Sequence, residues 1–201
     1  MENTITFQLT EEQLYRSMRG LDKARAKQYL DPLNAALAEF EINTPLRVAH
    51  FVGQLAPESL DLKYWTELWG PTKQQLRYEG RMDLGNVVAG DGKRFMGRGP
   101  IQTTGRANYT RVAKALQIDC VTHPELLSTP EHGFRAAGLF WSDNRCNEYA
   151  DKDDVLAVSQ LVNCGRGGML KGIIPNGLDD RKKKLAKVKQ ALGMLTATTS
   201  T

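Results

Sequence analysis

Metal-ligand chemistry finds little material in this chain. Its 201 residues hold three cysteines (Cys120, Cys146, Cys164) and three histidines (His50, His123, His132). There is no Cys-x-x-Cys pair and no Cys/His pairing at ligand spacing, so neither a structural metal nor a cofactor is expected. Three scattered thiols are too few for a disulfide framework, and buried, reduced side chains are expected instead. Long apolar runs are missing too. No stretch approaches the roughly 20 residues of a membrane span, which argues against stable membrane insertion. The opening, Met1 to Phe7, lacks a basic region followed by an apolar core, so no secretory signal is expected. Aromatic residues are sparse at 7%, and none interleaves with the densest basic segment, Arg181, Lys182, Lys183, Lys184, Lys187 and Lys189. Without stacking surfaces among those cations, nucleic-acid recognition is disfavoured. The segment's apolar residues Leu178, Leu185, Val188 and Leu192 keep helical spacing, which predicts the solvated face of an amphipathic helix.

What is present is ordinary globular material, 41% hydrophobic and 25% charged with a formal charge of +4. Helical periodicity dominates. Leu30, Leu33, Leu37 and Phe40 recur at intervals of three and four, as do Val48, Val52 and Leu55. Thr44-Pro45 reads as an N-cap followed by proline at the first helical position. Val112 with Leu116, Phe134 with Gly138 and Trp141, and Val155 with Val158 and Val162 continue the pattern. Asp153 or Asp154 is expected to cap the last of these, and Asp179 or Asp180 the carboxy-terminal helix. Between Gly70 and Gly105 six further glycines break the periodicity into turns, with room for one short hairpin. These signals predict a mainly α single domain over residues 1–195, monomeric, with a helical lead-in at 8–43, a core at 44–192 and a frayed tail at 196–201.

The segment Gly97-Arg98-Gly99-Pro100-Ile101-Gln102-Thr103-Thr104-Gly105-Arg106-Ala107-Asn108-Tyr109 carries the chemical signal. Glycines let the backbone approach a ligand closely, and the amide, hydroxyl and guanidinium groups among them supply hydrogen bonds. Two carboxylates, Glu58 and Glu67, lie upstream. Paired acids beside a polar cleft suit glycoside hydrolysis, in which one carboxylic acid protonates the leaving oxygen and a second carboxylate activates water or attacks carbon. Glu58 ends the apolar run Val48 to Ala56, a setting expected to desolvate it and favour its protonated form. On one continuous helix, nine residues would advance about 13.5 Å and put the two glutamates on opposite faces. If both act on one bond, the helix must therefore end soon after Glu58 and the chain must double back before Glu67. Glu79, beside Tyr78 and Arg81, is the rival second carboxylate; its alternative role is an ion pair with Arg81 or Arg98 that braces the loop. Arg98, between two glycines, is expected to be a brace as well.

The runs Tyr78-Glu79-Gly80-Arg81-Met82-Asp83-Leu84-Gly85-Asn86, Gly90-Asp91-Gly92-Lys93-Arg94-Phe95 and Gly97-Arg98-Gly99-Pro100-Ile101-Gln102 resemble the family 19 chitinase-like glycoside hydrolases, and within them the endolysins of tailed bacteriophages. The resemblance runs from about Thr44 to Leu192. It implies a lysozyme-like, two-lobed α-helical domain with a substrate cleft between the lobes, and hydrolysis of β-1,4 bonds with inversion. It implies Glu58 as general acid, Glu67 as the carboxylate that activates water, and Thr104 as the hydroxyl that helps hold that water. Gln102, Asn108, Tyr109 and Asn163 fall at substrate-contacting positions, and Arg181 at that of an arginine supporting the acid and the substrate site. The implied partner is the glycan strand of bacterial peptidoglycan, reached from the host cytoplasm once a separate membrane-permeabilising protein grants access to the periplasm and wall. A chitinase acting on N-acetylglucosamine polymers, or a catalytically weakened glycan-binding relative, is the alternative. Two departures bear on activity: Pro57 stands where the family has histidine, and Leu60-Asp61 replaces a Gly-Gly pair. If Glu58 and Glu67 are acid and base, inversion requires their carboxyls to lie about 6.5–9.5 Å apart.

Overall fold

The computed structural model describes residues 7–194, so the expected frayed tail lies outside the described residues. Among the described residues there are ten α-helices: α1 (Glu11–Ser17), α2 (Lys23–Glu39), α3 (Pro45–Ser59), α4 (Lys73–Leu76), α5 (Asp91–Arg94), α6 (Arg106–Leu116), α7 (Pro130–Asp143), α8 (Cys146–Ala150), α9 (Val155–Leu170) and α10 (Leu178–Ala191). Short 3-10 turns at Met82–Leu84 and Pro124–Ser128 complete the described secondary structure.

Local chemistry explains most helix starts. Thr44 caps α3 by accepting from the Arg47 N–H, with Pro45 in the first turn. Asp154, rather than Asp153, caps α9 through the Ala157 N–H at 2.9 Å. The expected aspartate cap on α10 is not there. Gly177, in the left-handed region at φ 67°, begins that helix, and Asp179 and Asp180 occupy its first turn, where they complement the helix dipole. The expected hairpin shrinks to one antiparallel pair, Arg98 with Thr103, flanked by a second bridge from Arg98 to Thr66.

Two apolar clusters form the interior. The larger gathers α1, α2, α3, α9 and α10 around Leu14, Leu33, Phe51, Val52, Val158 and Val188. The smaller is built from Phe95, Tyr109, Val112, Leu116, Ile118, Cys120 and Leu127. Helix α7 serves both: Phe134, Ala137 and Trp141 face the larger cluster, while Ala136 and Leu139 face the smaller. The lead-in helices thus belong to the larger core, and two lobes share one wall. Within the Gly70–Gly105 stretch, Phe95 packs into the smaller cluster and Ile101 against the larger.

Candidate active site

Helix α3 ends immediately after Glu58. Ser59 is its last residue, and Leu60, Asp61 and Leu62 follow with φ of 50°, 57° and 59°. Three successive non-glycine residues in the left-handed region cost about 1–2 kcal/mol each. Hydrogen bonds offset this: the Leu62 N–H donates to Ser59 Oγ at 2.8 Å, the Asp61 N–H to the Ala56 carbonyl at 2.8 Å, and the Tyr64 N–H to the Ser59 carbonyl at 3.0 Å. Asp61 is itself buried, accepting from the Gly20 N–H and from Lys184 Nζ at 2.7 Å. Helix α3 therefore ends just after Glu58, and a tight turn follows it before Glu67.

Beyond the turn, the chain runs alongside the glycine-rich loop. The Glu67 N–H donates to the Gly97 carbonyl at 2.8 Å, and the Gly97 N–H donates to Glu67 Oε2 at 3.0 Å. Gln75 Nε2 donates to Glu67 Oε1 at 2.9 Å, and the Tyr78 hydroxyl approaches the same oxygen at 3.5 Å. Burial, and then the neighbouring Glu67 charge, push the Tyr78 phenol above its ordinary range. Together these contacts hold one half-buried carboxylate in a fixed orientation.

Gly97 is where the polar groups converge. A Cβ placed on it would lie 2.6 Å from Gln102 Oε1, 3.3 Å from Glu67 Oε2 and 3.3 Å from Thr104 Oγ1. Only glycine leaves that space open. Thr104 Oγ1 donates to the Gln102 carbonyl at 2.9 Å, and Gln102 Nε2 to the Gly99 carbonyl at 2.9 Å. Asn108, exposed on α6, donates to the Thr104 carbonyl at 2.7 Å. Beside this loop a pocket of about 210 Å³ opens between α6 and α7. Gln102, Thr104, Asn108 and the Arg111–Asp143 ion pair supply its polar lining, and Leu84, Val112 and Leu139 are among its apolar lining.

Glu58 sits in surroundings that differ from the expected apolar setting. Arg181 Nη2 donates to Glu58 Oε1 at 2.5 Å, so the carboxylate is half of an ion pair, with side chains only 5% and 20% exposed for Arg181 and Glu58. A cation 123 residues away in sequence, on α10, answers the charge that local hydropathy left unanswered. Arg181 also donates from Nη1 to Gln54 Oε1 at 2.6 Å and from Nε to the Asn176 carbonyl at 3.1 Å. It braces the acid and has its guanidinium committed within the protein.

Other expected site residues fall elsewhere. Tyr109 is fully buried in the smaller cluster, donating to the Met96 carbonyl and accepting from Arg98 Nη1, and burial pushes its phenol up to about 12. It cannot contact a surface ligand. Asn163 Oδ1 accepts from the Asn176 N–H at 2.8 Å, which ties it to the loop that holds Arg181. Glu79 does brace the loop, through the Gly90 and Gly92 N–H groups at 2.6 and 2.9 Å instead of an ion pair. Arg81 pairs with Asp83 instead, and Arg98 donates to the Arg94 carbonyl and to Tyr109 as a buried brace. Sequence reasoning missed Gln54 and Ser159. Gln54 lies four residues before Glu58, hence on the same face of α3, and that spacing was the available signal. Among the described residues no group of three or more His, Cys, Asp or Glu side chains could hold a metal ion.

A family model described as Chitinase class I, of glycoside hydrolase family 19, matches residues 81–161. The match includes the glycine-rich loop, Gln102, Thr104 and Asn108. The chain is 24% identical over 216 aligned positions to Endochitinase 1 of Theobroma cacao, covering 96% of this chain and 67% of that protein. It is 31% identical over 106 positions to a glycosyl hydrolase family 19 domain-containing protein of Haemophilus influenzae, covering 53% and 46% respectively. Other endochitinase relatives are matched over as little as 20% of their length. The crystal structure of chitinase C from Streptomyces griseus superposes with a TM-score of 0.70 at 17% identity, over 96% of this chain and 78% of that one. The fold is the mainly helical, lysozyme-like one of these family 19 structures, and the chain is related to chitinase-type glycosidases.

Proposed function

We propose that the chain hydrolyses β-1,4 glycosidic bonds next to N-acetylated sugars by an inverting acid/base mechanism. The observation that carries this reading is the convergence of Glu67 Oε2, Thr104 Oγ1 and Gln102 Oε1 over Gly97, on the chain segment that returns from Glu58. In the reaction, protonated Glu58 gives its proton to the leaving glycosidic oxygen as the bond to the anomeric carbon breaks. Glu67 takes a proton from a water held with Thr104, and the water oxygen attacks the opposite face of that carbon. Arg181 stabilises the carboxylate that Glu58 becomes, and Gln102 and Asn108 position sugar.

The substrate we propose is the glycan strand of bacterial peptidoglycan, in the manner of a phage endolysin. The resemblance of the glycine-rich runs to that group supports this. Chitin is the second reading, favoured by the names of the chitinase relatives. The test offers purified peptidoglycan and N-acetylglucosamine hexamer to the wild type and to Glu58→Gln, with products identified by mass spectrometry. Release of muropeptides by the wild type alone supports the endolysin reading. Cleavage confined to the hexamer assigns a chitinase. Equal turnover by wild type and Glu58→Gln removes Glu58 from the chemistry.

A further inference from the structure

Arg181 is held against Glu58 by a buried relay that begins two helices away. Gln54 is 1% exposed and Ser159 fully buried, and Gln54 Nε2 donates to Ser159 Oγ at 3.0 Å. That leaves Gln54 Oε1 as the acceptor for Arg181 Nη1 at 2.6 Å. The orientation is forced, because a guanidinium carries only donors and must meet the oxygen end of the amide. Arg181 Nε is fixed in turn by the Asn176 carbonyl, and the Asn176 N–H by Asn163 Oδ1. The line Ser159, Gln54, Arg181, Glu58 therefore links α9, α3 and α10 through hydrogen bonds of defined polarity.

We infer that Gln54 is a positioning residue for the reaction: a neutral acceptor that fixes Arg181 beside Glu58 without competing for its charge. The inference rests on the reading of Glu58 as general acid. A carboxylate at position 54 would also hold the guanidinium, but it would divide the cation between two anions and place a like charge one helical turn from the acid. An aliphatic side chain would leave Nη1 unpaired and free Arg181 to turn away. The other charged groups on the packed elements are the Asp61–Lys184 pair, which joins the turn after α3 to α10, the His50–Asp153–Lys189 group, the Arg47–Asp151 pair, Arg166 on α9, and Asp179, Asp180, Lys182, Lys183 and Lys187 on α10. Arg181 is the cation hydrogen-bonded to both Gln54 and Glu58, and through it position 54 acts on Glu58.

The test compares Gln54→Glu, Gln54→Leu, Ser159→Ala and Glu58→Gln with the wild type. Each is assayed for kcat, KM and the pH profile on whichever of purified peptidoglycan or N-acetylglucosamine hexamer the wild type cleaves. The expected result for Gln54→Glu is an alkaline limb displaced upward by about one pH unit, because a second anion then shares the Arg181 cation. Gln54→Leu is expected to lower kcat by about tenfold to a hundredfold with KM unchanged. Ser159→Ala, which removes only the group orienting the amide, is expected to give a smaller loss of the same kind and serves if either Gln54 variant fails to fold. A lowered melting temperature with unchanged kcat and unmoved limb in the folded variants overturns the inference. If Glu58→Gln retains full activity, the reading of the acid fails instead, and the inference falls with it.

Discussion

A single methyl group at Gly97 separates the chemical role of the loop from its structural one. In Gly97→Ala the new carbon would sit 2.6 Å from Gln102 Oε1, a distance real Cβ atoms essentially never show, and 3.3 Å from both Glu67 Oε2 and Thr104 Oγ1. Gly97 is not in the left-handed region, so alanine brings no backbone strain there. The clash is with the far end of a flexible side chain. Gln102 can swing aside, giving up its bond to the Gly99 carbonyl. One such bond is worth about 0.5–1.5 kcal/mol, and replacing glycine recovers about 0.4–1 kcal/mol by restricting the unfolded chain. The net change is then within about 1 kcal/mol, or roughly 2–4 °C in melting temperature for a chain of this size.

Catalysis is expected to suffer far more. The methyl fills the space between Glu67 Oε2 and Thr104 Oγ1, where the proposed mechanism needs a water, and a misplacement of that order costs about a hundredfold in rate. Calorimetry and steady-state turnover on the same preparation provide the comparison. The contrasting variant is Gly92→Ala. Its methyl would meet the Glu79 backbone nitrogen and Oε2, both at 2.8 Å, so the strain falls on backbone and on the loop brace. There a loss of about 1–3 kcal/mol is expected, with turnover per folded molecule less affected. Wild-type kcat/KM in folded Gly97→Ala would refute the assignment of the attacking water to this space.

Three further outcomes are expected. Leu60→Gly relieves one left-handed residue worth about 1–2 kcal/mol and returns about 0.5–1 kcal/mol to the unfolded chain, so a small gain in melting temperature is expected; a fall would show that the exposed Leu60 side chain contributes contacts. A thiol reagent at neutral pH is expected to label Cys164 alone in the native protein and all three cysteines in denaturant, because burial pushes the Cys120 and Cys146 thiols up to about 11 and about 12; two fast native reactions would contradict this. Burial also lowers the His50 imidazole below its ordinary value, although Asp153 lies 2.8 Å from Nε2. The unfolded chain then binds a proton near pH 6.5 that the native state refuses. The stability from neutral His50 is complete above that pH and is lost, by up to about 1.4 kcal/mol per unit, as pH falls toward the lowered native value. Urea titrations of wild type and His50→Gln between pH 7.5 and 5.5 check the slope, which the variant is expected to lack.

What the sequence conveys well is local. Thr44-Pro45 announces the start of α3 because the cap and the fixed proline φ act within one turn. Tyr109 is misread as a sugar contact because a motif treats neighbours alike, whereas adjacent residues on a helix point about 100° apart. On α6 that rotation leaves Asn108 in solvent and sends Tyr109 into the cluster with Phe95. Gly177 displaces the expected aspartate cap of α10 because a left-handed glycine can begin a helix with no side chain to signal it. The environment of Glu58 cannot be read from its neighbours. Leu55, Ala56 and Pro57 before it are apolar, yet its partner arrives from α10 and is itself held by Gln54 and Asn176.

The turn after α3 shows how far spacing alone can reach. Nine residues on a continuous helix would separate Glu58 from Glu67, so if both act on one bond the spacing requires a reversal of the chain between them. Spacing does not say how the reversal is made, because Leu60-Asp61-Leu62 carries none of the glycine or asparagine that usually marks left-handed backbone. The residues that stabilise it are distant in sequence. Asp61 is gripped by Gly20 from the lead-in and by Lys184 from α10, three residues beyond the arginine that grips Glu58. One face of α10 therefore holds both the acid and the turn that carries the chain on toward Glu67. That shared support explains why a turn without glycine can persist here, and it couples the placement of Glu58 to the path of the chain that brings Glu67 to the loop.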